Sequence, residues 1–323
     1  MHEYEYVSSL SSYIQDFLHE KRALGYKYRT EEYVLRRFDS YWYGSGNPES
    51  INQENLAGWL QQSPTEGKSR LSQRICTVRL LILFMKGLGI NSCVPYEKIR
   101  RAKPAVHIMS SDEIISLFNV IDAYFPSRET RDTARMAREY GVLFRLILTT
   151  GMRRTEAASI RINDIDIERK NINIYDAKGN KDRIVYMAED MAALLKQYLG
   201  SIDPTISTEN RWLFPGVNPD NHISSGALSI KFHEFWNETP YANICEKRPT
   251  IHALRHTYVV LRMNTWMEND IDLNIMMPYL SRQLGHKSVQ ETFYYYHQVA
   301  EAFRTIHRKD TVAHSVLPEV RTR

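Results

Sequence analysis

Cysteine is scarce in these 323 residues: Cys76, Cys93 and Cys245 stand far apart, with no CxxC pair. That spacing argues against a disulfide framework and against a cysteine-built zinc site, and it suits a reducing compartment. Long apolar runs are missing too, so no stretch reads as a membrane span. The start MHEYEYVSSL is acidic where a secretory leader needs bases, and no apolar block follows it. The expectation is a cytoplasmic protein without membrane association. Internal repeats and low-complexity tracts are also lacking. Charge of one sign is barely in excess, at +4 overall, which by itself does not point to a polyanionic partner.

What is present is a globular composition, 43% hydrophobic and 25% charged, on a chain long enough for two ordinary domains. The distribution of charge says more than its sum. From Lys68 to Lys103 there are nine bases, namely Lys68, Arg70, Arg74, Arg79, Lys86, Lys98, Arg100, Arg101 and Lys103, against the single acid Glu97. Such a stretch is a local positive field suited to phosphate, or else a solvated helix face followed by a basic linker.

The first hundred residues read as a bundle of four or five helices. VSSLSSYIQDFLHEKRALGY spaces Leu10, Ile14, Phe17, Leu18 and Leu24 at helical intervals and stops at Gly25. RTEEYVLRRFDSYWYG offers Thr30 as a cap and sets Tyr33, Val34, Phe38 and Tyr41 on one side. A short helix follows Ser50. In SRLSQRICTVRLLILFMKGLG, Leu71, Ile75, Val78, Ile82 and Met85 face inward, with Arg70, Arg74 and Lys86 off that stripe.

PYEKIRRAKPAVHIMSSDE then combines prolines, bases and a fresh capping sequence at Ser110 or Ser111, as a linker into a new domain does. The expected division is residues 1–103 and 104–323. The second part resumes with helices and carries one β region, INDIDI, NINIYDA and RIVYM. Gly179-Asn180 turns the hairpin, and Ile172, Ile174, Ile184 and Tyr186 are expected on its covered face. The chain is therefore mainly α with a small β-sheet.

Four pieces of the second part are rich in groups that bind or protonate phosphate. In TTGMRRTEAASI an apolar helix ends at Gly151, and Arg153, Arg154 and Glu156 follow. Lys178 sits at the hairpin tip. In TIHALRHTYVVLRM, His252 and Arg255 share a helix face while Leu254, Tyr258 and Leu261 form an apolar stripe. In LGHKSVQETFYYYH, His286 precedes a capping box, Ser288 to Glu291, and three consecutive tyrosines. Singly, each has a plain explanation as a surface ion pair, a solvated lysine or a capped helix. His252 and His256 are four apart as in zinc-binding helices, but Ala253 replaces the glutamate of HExxH and no third ligand suggests itself, so no metal is expected.

Taken in order, GMRRTE, KGNKDR, HALRH, LGH and YYYH resemble the tyrosine recombinase or phage integrase family. The resemblance covers the whole second domain, and the basic helical first part is similar to that family's core-binding domain. It implies Arg153 and Arg255 as catalytic arginines, Glu156 as a supporting acid, Lys178 as the hairpin lysine with Lys181 as a nearby competitor, and His252 and His286 as the family histidines. The nucleophile, nine residues after His286, is then Tyr295. Helix phase selects the same residue: Val289, Phe293, Tyr296, Ala300 and Phe303 form an apolar stripe, Tyr294 faces water, and Tyr295 stands at the border.

The family chemistry implied is attack of Tyr295 on a phosphodiester, giving a 3′-phosphotyrosyl link without metal, cofactor or ATP. Lys178 would protonate the leaving 5′ oxygen, and His252 is the candidate acceptor of the tyrosine proton. Arg70, Arg74 and Arg79 on the fourth helix and Arg100, Arg101 and Lys103 in the linker are candidate DNA contacts. The resemblance further implies double-stranded recombination sites as partners, a homo-tetramer on paired sites using the tail after Tyr295, and a bacterial mobile-element integrase or transposase, nucleoid-associated when bound. A directionality factor is not readable. A type IB topoisomerase, an inactive DNA-binding protein and a metalloprotein are the rival readings.

Overall fold

The computed structural model describes residues 4–96, 99, 106–175, 182–202, 211–245 and 248–295. The chain divides into two compact units, Met1–Pro104 and Ala105–Arg323.

Among the described residues the first unit is built from four helices: α1 (Ser11–Ala23), α2 (Arg29–Gly44), α3 (Gln53–Leu60) and α4 (Lys68–Gly87). Ile14, Phe17, Val34, Phe38, Trp42, Leu56, Val78 and Ile82 meet in one core, so the helical spacing of apolar residues is what closes the bundle. The caps differ from expectation. Tyr28, with φ of 43°, precedes α2 in place of Thr30, and Asn52 caps α3 by accepting from the Asn55 amide at 2.8 Å. Leu24 and Tyr33, expected inside, are exposed. The buried Asp39 accepts the Val7 and Ser8 amides at 3.0 Å each, which ties the chain entering α1 to α2.

The second unit opens with α5 (Ser111–Asp122), whose Ser110–Glu113 capping box forms in full, and α6 (Arg131–Thr150). After α7 (Arg154–Ala158) comes a three-stranded antiparallel sheet in the order β1 (Ile165–Asp166), β2 (Asn171–Ile174), β3 (Arg183–Tyr186). Helices α8 (Glu189–Gly200), α9 (Ser225–Asn237), α10 (Ile251–Glu268), α11 (Leu273–Leu284) and α12 (Val289–Phe293) follow. Leu143, Phe144, Leu146 and Ile147 of α6 are buried at the centre, with α10 packed against them.

The hairpin corrects one expectation. Ile172 and Ile174 are buried, but Ile184 and Tyr186 are exposed and Val185 is buried instead. The register pairs Ile172 with Val185 and Ile174 with Arg183, and residues directly opposite share a face. Strand β3 is therefore one residue out of the expected phase, and in a strand that reverses every side chain. The reversal turns Arg183 inward.

Candidate active site

Helix α6 ends on Gly151 at a φ of +70°, and a Cβ there would lie 2.5 Å from the Tyr258 ring and 2.8 Å from Leu284. Only glycine makes this turn so close to α10 and α11, and the turn delivers Arg153. Arg153 donates from its amide to Glu156 Oε2 at 2.8 Å, from Nη1 to Oε1 at 2.7 Å and from Nη2 to the Gly285 carbonyl at 3.1 Å.

Glu156 serves a second arginine. Arg183 donates from Nη1 and Nη2 to its two oxygens at 3.0 and 2.7 Å, and from Nε to the Gln283 carbonyl at 3.0 Å. Burial pushes the Glu156 carboxyl up, but the bonds and charge of Arg183, then Arg153, outweigh it and hold it at about 2. One carboxylate thus orients two guanidiniums. Sequence reading missed Arg183, although KGNKDR contains it, because the wrong strand phase pointed it at solvent.

Arg255 is 2% exposed. It donates to the carbonyls of Gly151 at 2.6 Å and Leu284 at 2.9 Å, and to His286 Nε2 at 3.0 Å. An arginine only donates, so His286 Nε2 accepts, and its Nδ1–H is left for Thr292 Oγ1 at 2.7 Å. Burial and the charge of Arg255 lower His286 to about 4, which keeps it neutral as this geometry requires. Arg255 is itself lowered to about 10 by burial and by Arg153, and stays cationic at neutral pH.

Tyr295 follows the short α12 and is 5% exposed; its hydroxyl lies 2.5 Å from His256 Nδ1. Burial raises the phenol and Arg255 opposes it. Burial and then His252 and Arg255 bring His256 down to about 3. A protonated phenol and a neutral imidazole share this bond, and the imidazole tautomer sets which of the two donates. The His252 ring packs edge-on to His256, centroids 4.3 Å apart. Desolvation, then Arg255, Arg153 and Arg154, lower His252 to about 4. His252 is an exposed residue, so repulsion from the arginines is the cause that persists.

Three expectations change here. The ring hydrogen-bonded to the Tyr295 hydroxyl is His256, where His252 was expected as the proton acceptor; the four-residue spacing that suggested zinc brings His256 to the tyrosine. The stripe through α12 is also out of phase: Thr292 is fully buried, Phe293 is 39% exposed, Tyr294 is half-buried and Tyr295 is buried. Helix α12 has only five residues, too few to hold the phase assumed across the tyrosines. Finally, the Ser288–Glu291 capping box does not form; Ser288 makes no side-chain cap bond. Tyr296, Ala300 and Phe303 lie outside the described residues, as do Lys178, Lys181, Arg100, Arg101 and Lys103.

Beside these groups runs an open cleft of about 800 Å³ lined by Arg183, Arg282, Gly285, His286 and Lys287 among others. On α4 the expected DNA contacts separate. Arg70 is exposed. Arg79 is half-buried and donates to the Pro95 carbonyl at 2.6 Å. Arg74 is 6% exposed and bonded to Glu66, Gln61 and Trp59, so it faces the protein interior and not a groove. Among the described residues no helix is long and apolar enough to cross a membrane.

The model of the phage integrase family matches residues 108–302. The chain belongs to that family, the tyrosine-type site-specific DNA recombinases. A Sinorhizobium fredii protein named as an integrase/recombinase is 24% identical to this recombinase over 315 residues, 94% of this chain and 98% of that one. The tyrosine recombinase XerD of Listeria monocytogenes is also 24% identical, over 93% and 98% of the two chains. Among solved structures, the Tn1549 transposon integrase in complex with transposon right end DNA shares the fold with a TM-score of 0.65. It is 14% identical, with 92% of this chain and 99% of that one covered.

Proposed function

We propose that the recombinase cleaves and rejoins duplex DNA by transferring a phosphodiester to Tyr295, as the integrase or transposase of a bacterial mobile element. The observation that carries the reading is the Tyr295 hydroxyl bonded to a neutral His256 beside Arg255. Tyr295 Oη attacks the phosphorus, its proton passes to His256 Nδ1, and the bond from phosphorus to the 5′ oxygen breaks. Lys178 supplies a proton to that oxygen. Arg153 and Arg255 face the charge that grows on the non-bridging oxygens, where rigid forks of donors match better than point charges. His252 and His286 add ring donors or acceptors.

The 3′-phosphotyrosyl product keeps the energy of the broken bond, so a 5′ hydroxyl from another strand reverses the step without ATP. Exchange between two duplexes cuts four strands, and each protomer brings one Tyr295; a tetramer on two paired double-stranded sites is the assembly this chemistry asks for. Arg70, with Arg100, Arg101 and Lys103, supplies phosphate contacts.

The test is a nicked suicide substrate carrying the element's end sequence, with protein–DNA adducts read on a denaturing gel. Loss of adduct in Tyr295→Phe, with Tyr294→Phe and Tyr296→Phe retaining it, is the expected result. An adduct that survives in Tyr295→Phe overturns the assignment.

A further inference from the structure

Away from the active site, His107 and Glu113, near in sequence, meet Cys245, 138 positions after His107. His107 lies in the extended stretch before α5, Glu113 in the first turn of α5, and Cys245 in the loop between α9 and α10. Among the described residues they form the one His/Cys/Asp/Glu group whose donor atoms all lie within 4.8 Å of one another. His107 Nδ1 is 3.5 Å from Cys245 Sγ, and its Nε2 is 3.1 Å from Glu113 Oε1.

His107 and Glu113 are each set by separate contacts. The Met109 amide donates to Thr257 Oγ1 on α10 at 2.9 Å, which fixes the stretch carrying His107. Glu113 Oε2 accepts the Ser110 amide at 2.7 Å in the capping box, which leaves Oε1 aimed at the imidazole. The Trp236 ring meets the imidazole edge-on at 6.0 Å. Glu113 is buried, while His107 and Cys245 are half-buried and open to an entering ion.

We infer that His107, Glu113 and Cys245 form a zinc site, with the fourth coordination position left to water. Thiolate, imidazole and carboxylate are a donor set that suits zinc better than magnesium or calcium. Zinc–nitrogen and zinc–oxygen bonds of about 2.0 and 2.1 Å set the two donor atoms of a tetrahedral site about 3.3 Å apart. With Nε2 as the ligating nitrogen, His107 and Glu113 Oε1, 3.1 Å apart, are already close to that separation. Cys245, whose Sγ lies 3.5 Å from the neighbouring Nδ1, moves in to supply the thiolate that completes the set and further offsets the ion's charge. The ion would tie the chain entering the second unit to the loop just before Thr250, where α10 begins with His252, Arg255 and His256 in line. Zinc here acts as a structural clip on the approach to that helix. The inference does not depend on the strand-transfer reading.

The test uses the full chain and zinc or cobalt as probe. About one zinc per chain is expected by elemental mass spectrometry, with a rise in Tm on zinc addition, since an ion that binds the folded state stabilises it. Cobalt is expected to give a sulfur-to-metal charge-transfer band that vanishes in Cys245→Ala and persists in the Cys76→Ala, Cys93→Ala double variant. Glu113→Gln, which preserves the helix cap, is expected to weaken zinc at least about tenfold. A zinc-free Tm equal to wild type checks that each variant is folded. Absence of bound zinc, or zinc binding and a cobalt spectrum unchanged in Cys245→Ala, overturns the site.

Discussion

Each unit buries an arginine, and the two are held differently. In the first unit Arg74 meets Glu66 through Nε and Nη2 at 3.1 and 2.8 Å and lies over the Trp59 ring. The bonds from Arg74 pull the Glu66 carboxyl down despite its burial. In the second unit Arg255 is bonded to two carbonyls and a neutral imidazole, and none of these bonds brings it a full negative charge. A buried cation that meets a carboxylate is neutralised and holds structure. One fixed by dipoles alone keeps its charge for an anion that arrives later, at the cost of desolvation. The same residue type is thus a strut in one unit and, in the reaction proposed above, a phosphate receptor in the other.

The sharpest way to break this contrast is to remove each arginine. Arg74→Ala leaves Glu66 buried without its partner and should lower stability by roughly 3 kcal/mol, read by chemical denaturation. Arg74→Met with Glu66→Leu should recover most of that loss, and failure to do so would mean the pair is not the strut. Arg255→Lys keeps a charge but loses the fork, so adduct formation should fall ~10²–10³-fold with the chain still folded. A near-normal rate in that variant would place the phosphate elsewhere.

The histidines extend the comparison to pH. His252, His256 and His286 are held at about 4, 3 and 4, below the ordinary value of about 6.5. Between these values the unfolded chain binds protons that the folded chain does not, so stability falls as pH drops below about 6.5; the histidine part of the loss levels off near 3, and Glu156, held at about 2, continues the fall below about 4.5. Tm measured from pH 7 downward should show this, with a shallower fall in His256→Gln; parallel curves would show that His256 is not the group being titrated. The smallest effect is expected at exposed Arg70: Arg70→Ala should weaken DNA binding modestly and reduce its salt dependence by about one phosphate contact, with stability unchanged.

Much of this was legible before the structure. The apolar spacing of α4 named Leu71, Ile75, Val78, Ile82 and Met85, all of which are buried. Ordered motifs named Arg153, Glu156, His252, Arg255, His286 and Tyr295, and the structure links Arg153 to Glu156, Arg255 to His286, and His252 through the His256 ring to Tyr295. Arg74 was misplaced because helical spacing shows which way a residue leans but not that Glu66 and the Trp59 carbonyl wait there. Arg183 was hidden by a one-residue strand phase, and His256 because the ordered motif assigned the tyrosine proton to His252.

Sequence alone determined the family, the helical first unit and the types of group at the reacting centre, because apolar period and ordered motifs are local and survive without coordinates. Tertiary structure decided which cations meet a carboxylate, which histidine is bonded to the Tyr295 hydroxyl, and that His107, Glu113 and Cys245 converge. Those depend on residues up to 138 positions apart in the chain, and burial and through-space charge set them in ways no spacing records.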